Sequence, residues 1–212
     1  MPHQLYQVDA FTEEPFKGNP AAVCLLEAPE SETWMQSLAA EMNLSETAFL
    51  LPEGMAWRLR WFTPTTEVDL CGHATLASAY VLFTQRPVVQ QNPLIFNTRS
   101  GQLRARWKDG KVELDFPVIH YGPLEVAPEI AGILGFEPVA AVYSGDYYLF
   151  EAEVPEQVVD AAPDFAALAS LPMPEVMITA PSADPRFDFI SRFFAPQLGI
   201  NEDPVTGSAH CR

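Results

Sequence analysis

The sequence predicts an α+β fold built from two related halves. Short apolar or alternating segments typical of strands are mixed with a few helical segments in both halves, and hairpin signals replace strict strand–helix alternation. An aromatic–proline motif also occurs twice, as Arg60–Pro64 and as Arg192–Pro196. Each copy is followed by paired acids and then by a glycine with small residues, which favours a duplicated strand–loop–helix unit.

Two strands are predicted at the start of the chain, over Leu5–Phe11 and Ala21–Leu26, from alternating and apolar runs. Asn19 lies in the Gly-Asn-Pro turn between them and is a suitable capping residue for that turn. A helix from Ser31 to Met42 follows, with Ser31 as its N-cap and with its apolar residues on one face. The first quarter of the chain is therefore predicted to be a strand pair followed by an amphipathic helix.

Glu46 stands directly before an apolar run that is predicted to be a buried strand. A solvated carboxylate at the end of a strand is the simplest interpretation. If the side chain lines a cleft instead, the loss of hydration would raise its pKa toward the range that suits proton transfer. The residue types alone leave both interpretations open.

The junction before the Ala- and Leu-rich helix predicted from Ala74 onward carries Cys71, Gly72 and His73. The first turn of a helix has unpaired N–H groups and the positive end of the helix dipole, so this junction could bind an anion. An ordinary turn with a buried Cys and a satisfied His is the alternative. We expect Cys71 and His73 not to face each other, because residues two apart on a chain entering a helix point in different directions, and this disfavours a thiol hydrolase.

Downstream of this helix, Asp109-Gly110 is a strong hairpin signal between two predicted strands. Pro117–Pro123 is the predicted crossover between the halves, and His120 within it is expected at the surface. The remaining predicted elements are strands over 93–98, 101–107, 111–116 and 176–181, a hairpin over 140–151, and short helices over 128–134 and 164–171. Residues 187–194 lead into the second glycine loop.

Composition and charge disfavour several classes of protein. The net charge of −16 opposes binding to nucleic acid or to an anionic membrane. The three cysteines, Cys24, Cys71 and Cys211, have no metal-ligand spacing and fit a reducing compartment better than a disulfide framework. No apolar run approaches the ~20 residues of a membrane span, and the N-terminus has no signal-peptide pattern. We therefore expect a soluble cytoplasmic protein that acts on a small molecule.

Six motifs occur along the chain: VDAF at 8–11, GNPAAV at 18–23, NLSETAF at 43–49, FTP at 62–64, DLCGHAT at 69–75 and EDPVTGSAH at 202–210. In this order they resemble the PhzF-type phenazine-biosynthesis family, which shares its fold with diaminopimelate epimerase. The resemblance implies two pseudo-symmetric domains, over 1–118 and 119–212, each a barrel-like mixed sheet around a central helix. It also implies an active site between them. Family members continue past this point, so the second domain is expected to be incomplete relative to the family.

By this resemblance Glu46 is the general acid/base that moves a proton between carbons of a small carboxylate substrate. His73 and Asp203 would assist Glu46 or hold the substrate. The amides of two glycine loops would receive the substrate carboxylate, and the candidate substrate-binding residues are Asn19, Gly72, His73, Gly207 and Ser208. The family implies neither a metal ion nor an organic cofactor.

Two interpretations of function follow from these residues. The first is a cofactor-independent isomerase or epimerase; a two-thiol mechanism is disfavoured, because Thr206 stands where diaminopimelate epimerase has its second cysteine and a hydroxyl is too weak an acid. The alternative is a non-catalytic small-carboxylate-binding or interaction protein that keeps the cleft of this fold. The substrate and the assembly state stay open, with a homodimer as one option.

Overall fold

The protein folds as two compact units, the first formed by Met1–Pro117 with Thr206–Cys211 and the second by Val118–Val205 with Arg212. The structure, a computed structural model, describes residues 3–86, 92–115, 120–144, 147–172, 174–207 and 209. Each unit combines a mixed sheet with a few helices, so the predicted α+β class is confirmed. No helix within these residues is long and apolar enough to cross a membrane.

Eight strands form one mixed sheet among the described residues of the first unit. They are β1 (Gln4–Ala10), β2 (Asn19–Leu25), β3 (Glu46–Glu53), β4 (Ala56–Phe62), β5 (Glu67–Val68), β6 (Leu94–Thr98), β7 (Gly101–Lys108) and β8 (Lys111–Asp115). Their order is β1-β2-β3-β4-β6-β7-β8, with β5 paired to β4. The β2–β3 and β4–β6 pairs are parallel. Parallel neighbours need a crossover, which α1 (Glu32–Met42) and α2 (Gly72–Gln85) provide.

Helix α2 lies at the centre of the first unit and is buried on nearly all sides, as expected for a helix that is apolar all round. It contacts β1 and β8, the two ends of the sheet, as well as β2, β3 and β7. The sheet therefore curls around the helix, which is the predicted barrel-like arrangement. Leu59, Trp61 and Phe96 fill the space between sheet and helix.

The other face of this sheet is covered by α1, which buries Met35 and Ala39 in a cluster with Leu26, Phe49 and Phe62. Ser31 caps the helix, because its hydroxyl accepts the N–H of Trp34 at 3.2 Å. Asn43 ends it in a left-handed conformation with φ of 51°. The predicted helix over 31–42 is thus confirmed, with the cap where the sequence places it.

Six strands form a second mixed sheet among the described residues of the second unit, in the order β14-β13-β12-β11-β10-β9. They are β9 (Gly122–Pro123), β10 (Ala140–Ser144), β11 (Tyr147–Glu151), β12 (Glu175–Pro181), β13 (Phe189–Ala195) and β14 (Ile200–Asp203). One face packs against α3 (Ile130–Leu134), α4 (Pro155–Asp160) and α5 (Phe165–Leu168). The opposite face lines an apolar cavity of about 230 Å³, bounded by Tyr121, Val142, Ser144, Tyr147, Leu149 and Met177.

Several helices differ from the sequence-based expectation. Helices α3 and α5 are shorter than the predicted helices over 128–134 and 164–171. Helix α2 begins at Gly72 rather than at Ala74. Helix α4 is absent from the predicted elements, although it carries two start signals: Pro155 is its first residue, and the Gln157 side chain accepts the N–H groups of Glu153 and Val154 at 2.9 and 3.2 Å.

The internal repeat predicted from the aromatic–proline motif is visible in a pair of ionic contacts. On β4, Arg60 makes a two-pronged pair with Glu67, with Nε–Oε1 and Nη2–Oε2 distances of 2.6 Å each. On β13, Arg192 makes the same pair with Glu202, at 2.7 and 2.8 Å. Each arginine therefore clamps its own strand to the short strand that follows the motif.

The succession of parallel and antiparallel strand pairs also repeats between the two units. From β1 to β5 the successive pairs are antiparallel, parallel, antiparallel and antiparallel. From β10 to β14 they follow the same order. Arg60 lies 5.2 Å from the ring centre of Phe62, and Arg192 lies 5.2 Å from that of Phe194. The two units are two copies of one sheet motif.

Gly18, in the turn between β1 and β2, is the position where we expect a small substitution to cost most. Its φ is +76°, and a Cβ would lie 2.1 Å from the carbonyl oxygen of Ala10. We expect Gly18→Ala to lower the free energy of unfolding by about 2 kcal/mol or more, because both the dihedral and the backbone contact are unfavourable. Urea denaturation measures this quantity.

The matched control is Gly132→Ala in α3, where a Cβ meets open space. There we expect stability to stay constant or to rise by up to about 1 kcal/mol, since alanine favours the helix. Equal destabilisation by both substitutions would contradict the assigned turn geometry.

Candidate active site

The N-terminal ends of β2 and β3 meet at one edge of the first sheet. The strands are parallel, with Ala21 opposite Glu46, so Asn19 and Glu46 both lie at this edge as the first residues of their strands. Side chains alternate along a strand, so Asn19 shares a face with Ala21, and Glu46 shares one with Ala48. Ala21 and Ala48 belong to the core around α2, which places both polar side chains on the helix side. Asn19 is fully buried and the Glu46 side chain is 13% exposed.

The first turn of α2 brings His73 against Glu46, with Nε2 of the ring 3.4 Å from Oε2 of the carboxyl group. Burial lowers the pKa of His73 from 6.5 to about 4. The imidazole is therefore neutral at pH 7, because its charged form would lose hydration. At neutral pH the contact joins an uncharged ring to a carboxyl group and is not an ion pair.

Cys71 contacts the other side of the same ring, with its Sγ 3.5 Å from Nδ1 of His73. The expectation that these two side chains would not face each other is wrong. Cys71 is the N-cap residue of α2, and its extended backbone (φ −144°, ψ 116°) is not held at helical spacing. Its side chain can therefore turn back toward the ring, so that Cys71, His73 and Glu46 form a row.

The N-terminus of α2 offers backbone N–H groups at the same place. The Cys71 side chain makes no capping hydrogen bond, so it does not cap the amides of the first turn, which include those of Gly72 and His73. These amides sit at the positive end of the dipole of a 14-residue helix. Such a helix start is suited to bind a carboxylate or another anion.

Gly207 packs with the first unit, against the ring of Phe11. A Cβ at this position would lie 2.6 Å from Cζ and 3.3 Å from Cε1 of that ring. Phe11 itself has a φ of +65°, which bulky residues rarely adopt. Only glycine fits at position 207 while the ring keeps this place.

The remaining candidate residues are Asp203 and Ser208. Asp203 is the last residue of β14 in the second unit, where it pairs with Phe193 and is 9% exposed. Ser208 lies outside the described residues. The first unit thus gathers Asn19, Glu46 and His73, together with the Gly72 amide, around the start of α2.

Two features of this region are not among the sequence-based predictions. One is the contact of Cys71 with His73, which depends on the backbone of a single N-cap residue. The other is Phe11, which stands at the end of a strand, where an aromatic residue is normally assigned to the core. The VDAF motif places Phe11 beside a turn, but no local signal indicates its left-handed backbone.

A family model of phenazine biosynthesis-like proteins, PhzC–PhzF, matches residues 8–212. The chain belongs to the PhzC–PhzF family. It is 47% identical over 208 residues to an uncharacterised isomerase of Halalkalibacterium halodurans. The match covers 98% of this chain and 78% of the relative. It is 50% identical over 211 residues to an uncharacterised isomerase of Pseudomonas aeruginosa, with the same coverage.

Among solved structures, a PhzF-family protein from Enterococcus faecalis superposes with a TM-score of 0.88 at 47% identity. The match covers 100% of this chain and 80% of that one. The resemblance inferred from the six motifs is therefore confirmed, together with the fold class.

His73 should make stability depend on pH. The pKa of His73 is about 4 in the folded protein and ~6.5 in an unfolded chain, so between these values the unfolded state binds more protons. The free energy of unfolding is therefore expected to fall as the pH drops through this window, by up to about 3 kcal/mol, and to be unaffected above it.

Urea denaturation at about pH 7 and about pH 4.5 checks this expectation. The wild type should lose about 2 kcal/mol more than His73→Gln between the two conditions. His120→Gln, at an exposed position, is the control and should lose as much as the wild type. Equal losses in all three proteins would show that His73 is not buried in the neutral form.

The contact between Phe11 and Gly207 can be tested by a double-mutant cycle. We expect Gly207→Ala to destabilise the protein by about 1 kcal/mol, because its new methyl group displaces the end of the Phe11 ring, which is 44% exposed and can shift. Phe11→Ala/Gly207→Ala should lose less than the sum of the two single changes, with a coupling above about 0.5 kcal/mol. Urea denaturation gives all four values, and additive effects would rule out the contact.

Proposed function

We propose that the chain is an isomerase that moves a proton between carbons of a small carboxylate substrate, with Glu46 as the general acid/base. The observation that carries the proposal is the 3.4 Å contact between Glu46 and a buried, neutral His73 in the first turn of α2. The family adds support, since curated relatives at 47% and 50% identity are named isomerases.

Glu46 has the access that proton transfer requires. Its side chain is 13% exposed, and Oε2 of its carboxyl group lies against the imidazole. In the first step the carboxylate takes a proton from one substrate carbon, and the released electron pair moves into the adjacent unsaturated system. In the second step the carboxylic acid returns the proton to a different carbon, which leaves the enzyme unchanged.

A neutral His73 suits this role of Glu46. A charged imidazolium at 3.4 Å would stabilise the carboxylate and make it a weaker base. A neutral ring can orient the carboxyl group through this contact and leave it free to gain and lose a proton. In this proposal His73 assists Glu46 and does not itself take the substrate proton.

The substrate carboxylate is proposed to bind at the start of α2, at the amides of Gly72 and His73. The amides of the first turn and the helix dipole supply the positive potential that attracts it. Asn19, at the same sheet edge, is proposed to contact the substrate. The proposed contributions of Asp203, Gly207 and Ser208 rest on the family resemblance.

The test is solvent exchange catalysed by wild-type and Glu46→Gln protein. Small carboxylates with an acidic or allylic C–H are incubated with protein in deuterated water, and loss of the C–H signal is followed by proton NMR. We expect the wild type to exchange one class of substrate and Glu46→Gln to be slower by about 100-fold or more, since it lacks the acid/base group.

Glu53→Gln is the matched control, because Glu53 ends the same strand and pairs with Arg58 on the protein surface. It should exchange at the wild-type rate. Wild-type exchange by Glu46→Gln would remove Glu46 from the mechanism. Substrate binding by the wild type without any exchange would favour the non-catalytic alternative.

A further inference from the structure

Three side chains at the start of α2 and β3 bring together ligand types that zinc prefers. A ligand atom from each of Glu46, Cys71 and His73 lies within 4.8 Å of the other two. Cys71 Sγ is 3.5 Å from Nδ1 of His73, and Glu46 Oε2 is 3.4 Å from Nε2. A thiolate, an imidazole and a carboxylate are the three side-chain ligands found in zinc sites.

The 3.5 and 3.4 Å contacts are each about as long as a ligand–ligand separation in a tetrahedral zinc site, but they end on different nitrogens of the His73 ring. Zinc–ligand bonds of about 2.0–2.3 Å place neighbouring ligand atoms about 3.4–3.6 Å apart. Because the three ligand atoms lie within 4.8 Å of one another, no pair exceeds this spacing by more than about 1 Å, which a side-chain rotation can close. His73 would bind a single ion through one ring nitrogen, so one of its two present contacts would be exchanged for the metal.

We propose that Glu46, Cys71 and His73 form a binding site for Zn²⁺, with a fourth coordination position open to water or another ligand. The charges match, because a thiolate and a carboxylate together neutralise a divalent ion. Neutrality matters here, since Cys71 and His73 are 6% and 3% exposed and a net charge would be costly at this depth. Glu46, the most exposed of the three, marks the side from which the ion enters.

The ligand set also selects the ion. Mg²⁺ and Ca²⁺ prefer oxygen ligands and gain little from sulfur or nitrogen, whereas Zn²⁺ and Co²⁺ bind all three side chains. The ion is not a cofactor for isomerisation. It occupies Glu46, so zinc is expected to block proton transfer; this consequence rests on the proposed function, whereas binding of the ion does not.

The first test is calorimetric titration of metal-free protein with Zn²⁺, with Mg²⁺ as the control ion. One Zn²⁺ should bind per chain, and Mg²⁺ should not bind. Cys71→Ser, His73→Gln and Glu46→Gln should each weaken zinc binding by about tenfold or more, a loss that even substitutions outside the ligand shell commonly cause. Cys24→Ser should bind like the wild type, because Cys24 belongs to a different core cluster.

A second measurement does not depend on whether the ligand variants fold. X-ray absorption of the zinc-loaded Cys24→Ser/Cys211→Ser protein, in which Cys71 is the one remaining cysteine, should show one sulfur among the zinc ligands. A zinc shell without sulfur, or affinity unchanged in Cys71→Ser and Glu46→Gln, would overturn the site. If zinc binds as expected but leaves solvent exchange at its full rate, the site stands and the proposed role of Glu46 falls.

Discussion

The first unit depends on the burial of helix α2 inside a sheet that curls around it. The helix is apolar on nearly all sides, and Val81, Leu82 and Phe83 are almost completely buried. Each such side chain stabilises the folded state by about 1.5–3 kcal/mol. Because strands from both ends of the sheet reach the helix, neither end can move without uncovering it. The position of His73, one residue into the helix, is fixed by this packing.

The same burial sets the chemistry at the start of the helix. His73 loses its charge at neutral pH because the surrounding core withholds water from it, as its pKa of about 4 reflects. Its two ring nitrogens then lie between a thiol and a carboxyl group, Cys71 and Glu46. An uncharged ring between two groups that can each gain or lose a proton is compatible with proton transfer through Glu46. When Cys71 and Glu46 are both ionised, these two side chains and His73 can serve together as metal ligands.

Signals encoded within a few neighbouring residues carried most of the correct sequence-based predictions. The features that the sequence did not predict depend on strand register and on the backbone of one N-cap residue. The cap at Ser31 and the Asp109-Gly110 turn are encoded within a few residues, and both appear where the sequence places them, the turn with φ of 51° and 81°. The parallel pairing that sets Glu46 opposite Ala21, at the same end of the sheet as Asn19, depends on register between distant segments, which no local pattern states. The contact of Cys71 with His73 depends on one extended N-cap residue, a detail that helical spacing alone cannot supply.

The segment Thr206–Cys211 belongs to the first unit, although the whole of Val118–Val205 lies between them in sequence. During synthesis the first unit is therefore completed only after the intervening segment has been made. Those 88 intervening residues take roughly 4–18 s to translate at typical rates of about 5–20 residues per second. For that time the nascent first unit must persist with Phe11 lacking its partner Gly207. Closure of the contact between Phe11 and Gly207 is thus a late event, set by the order in which the ribosome releases the chain.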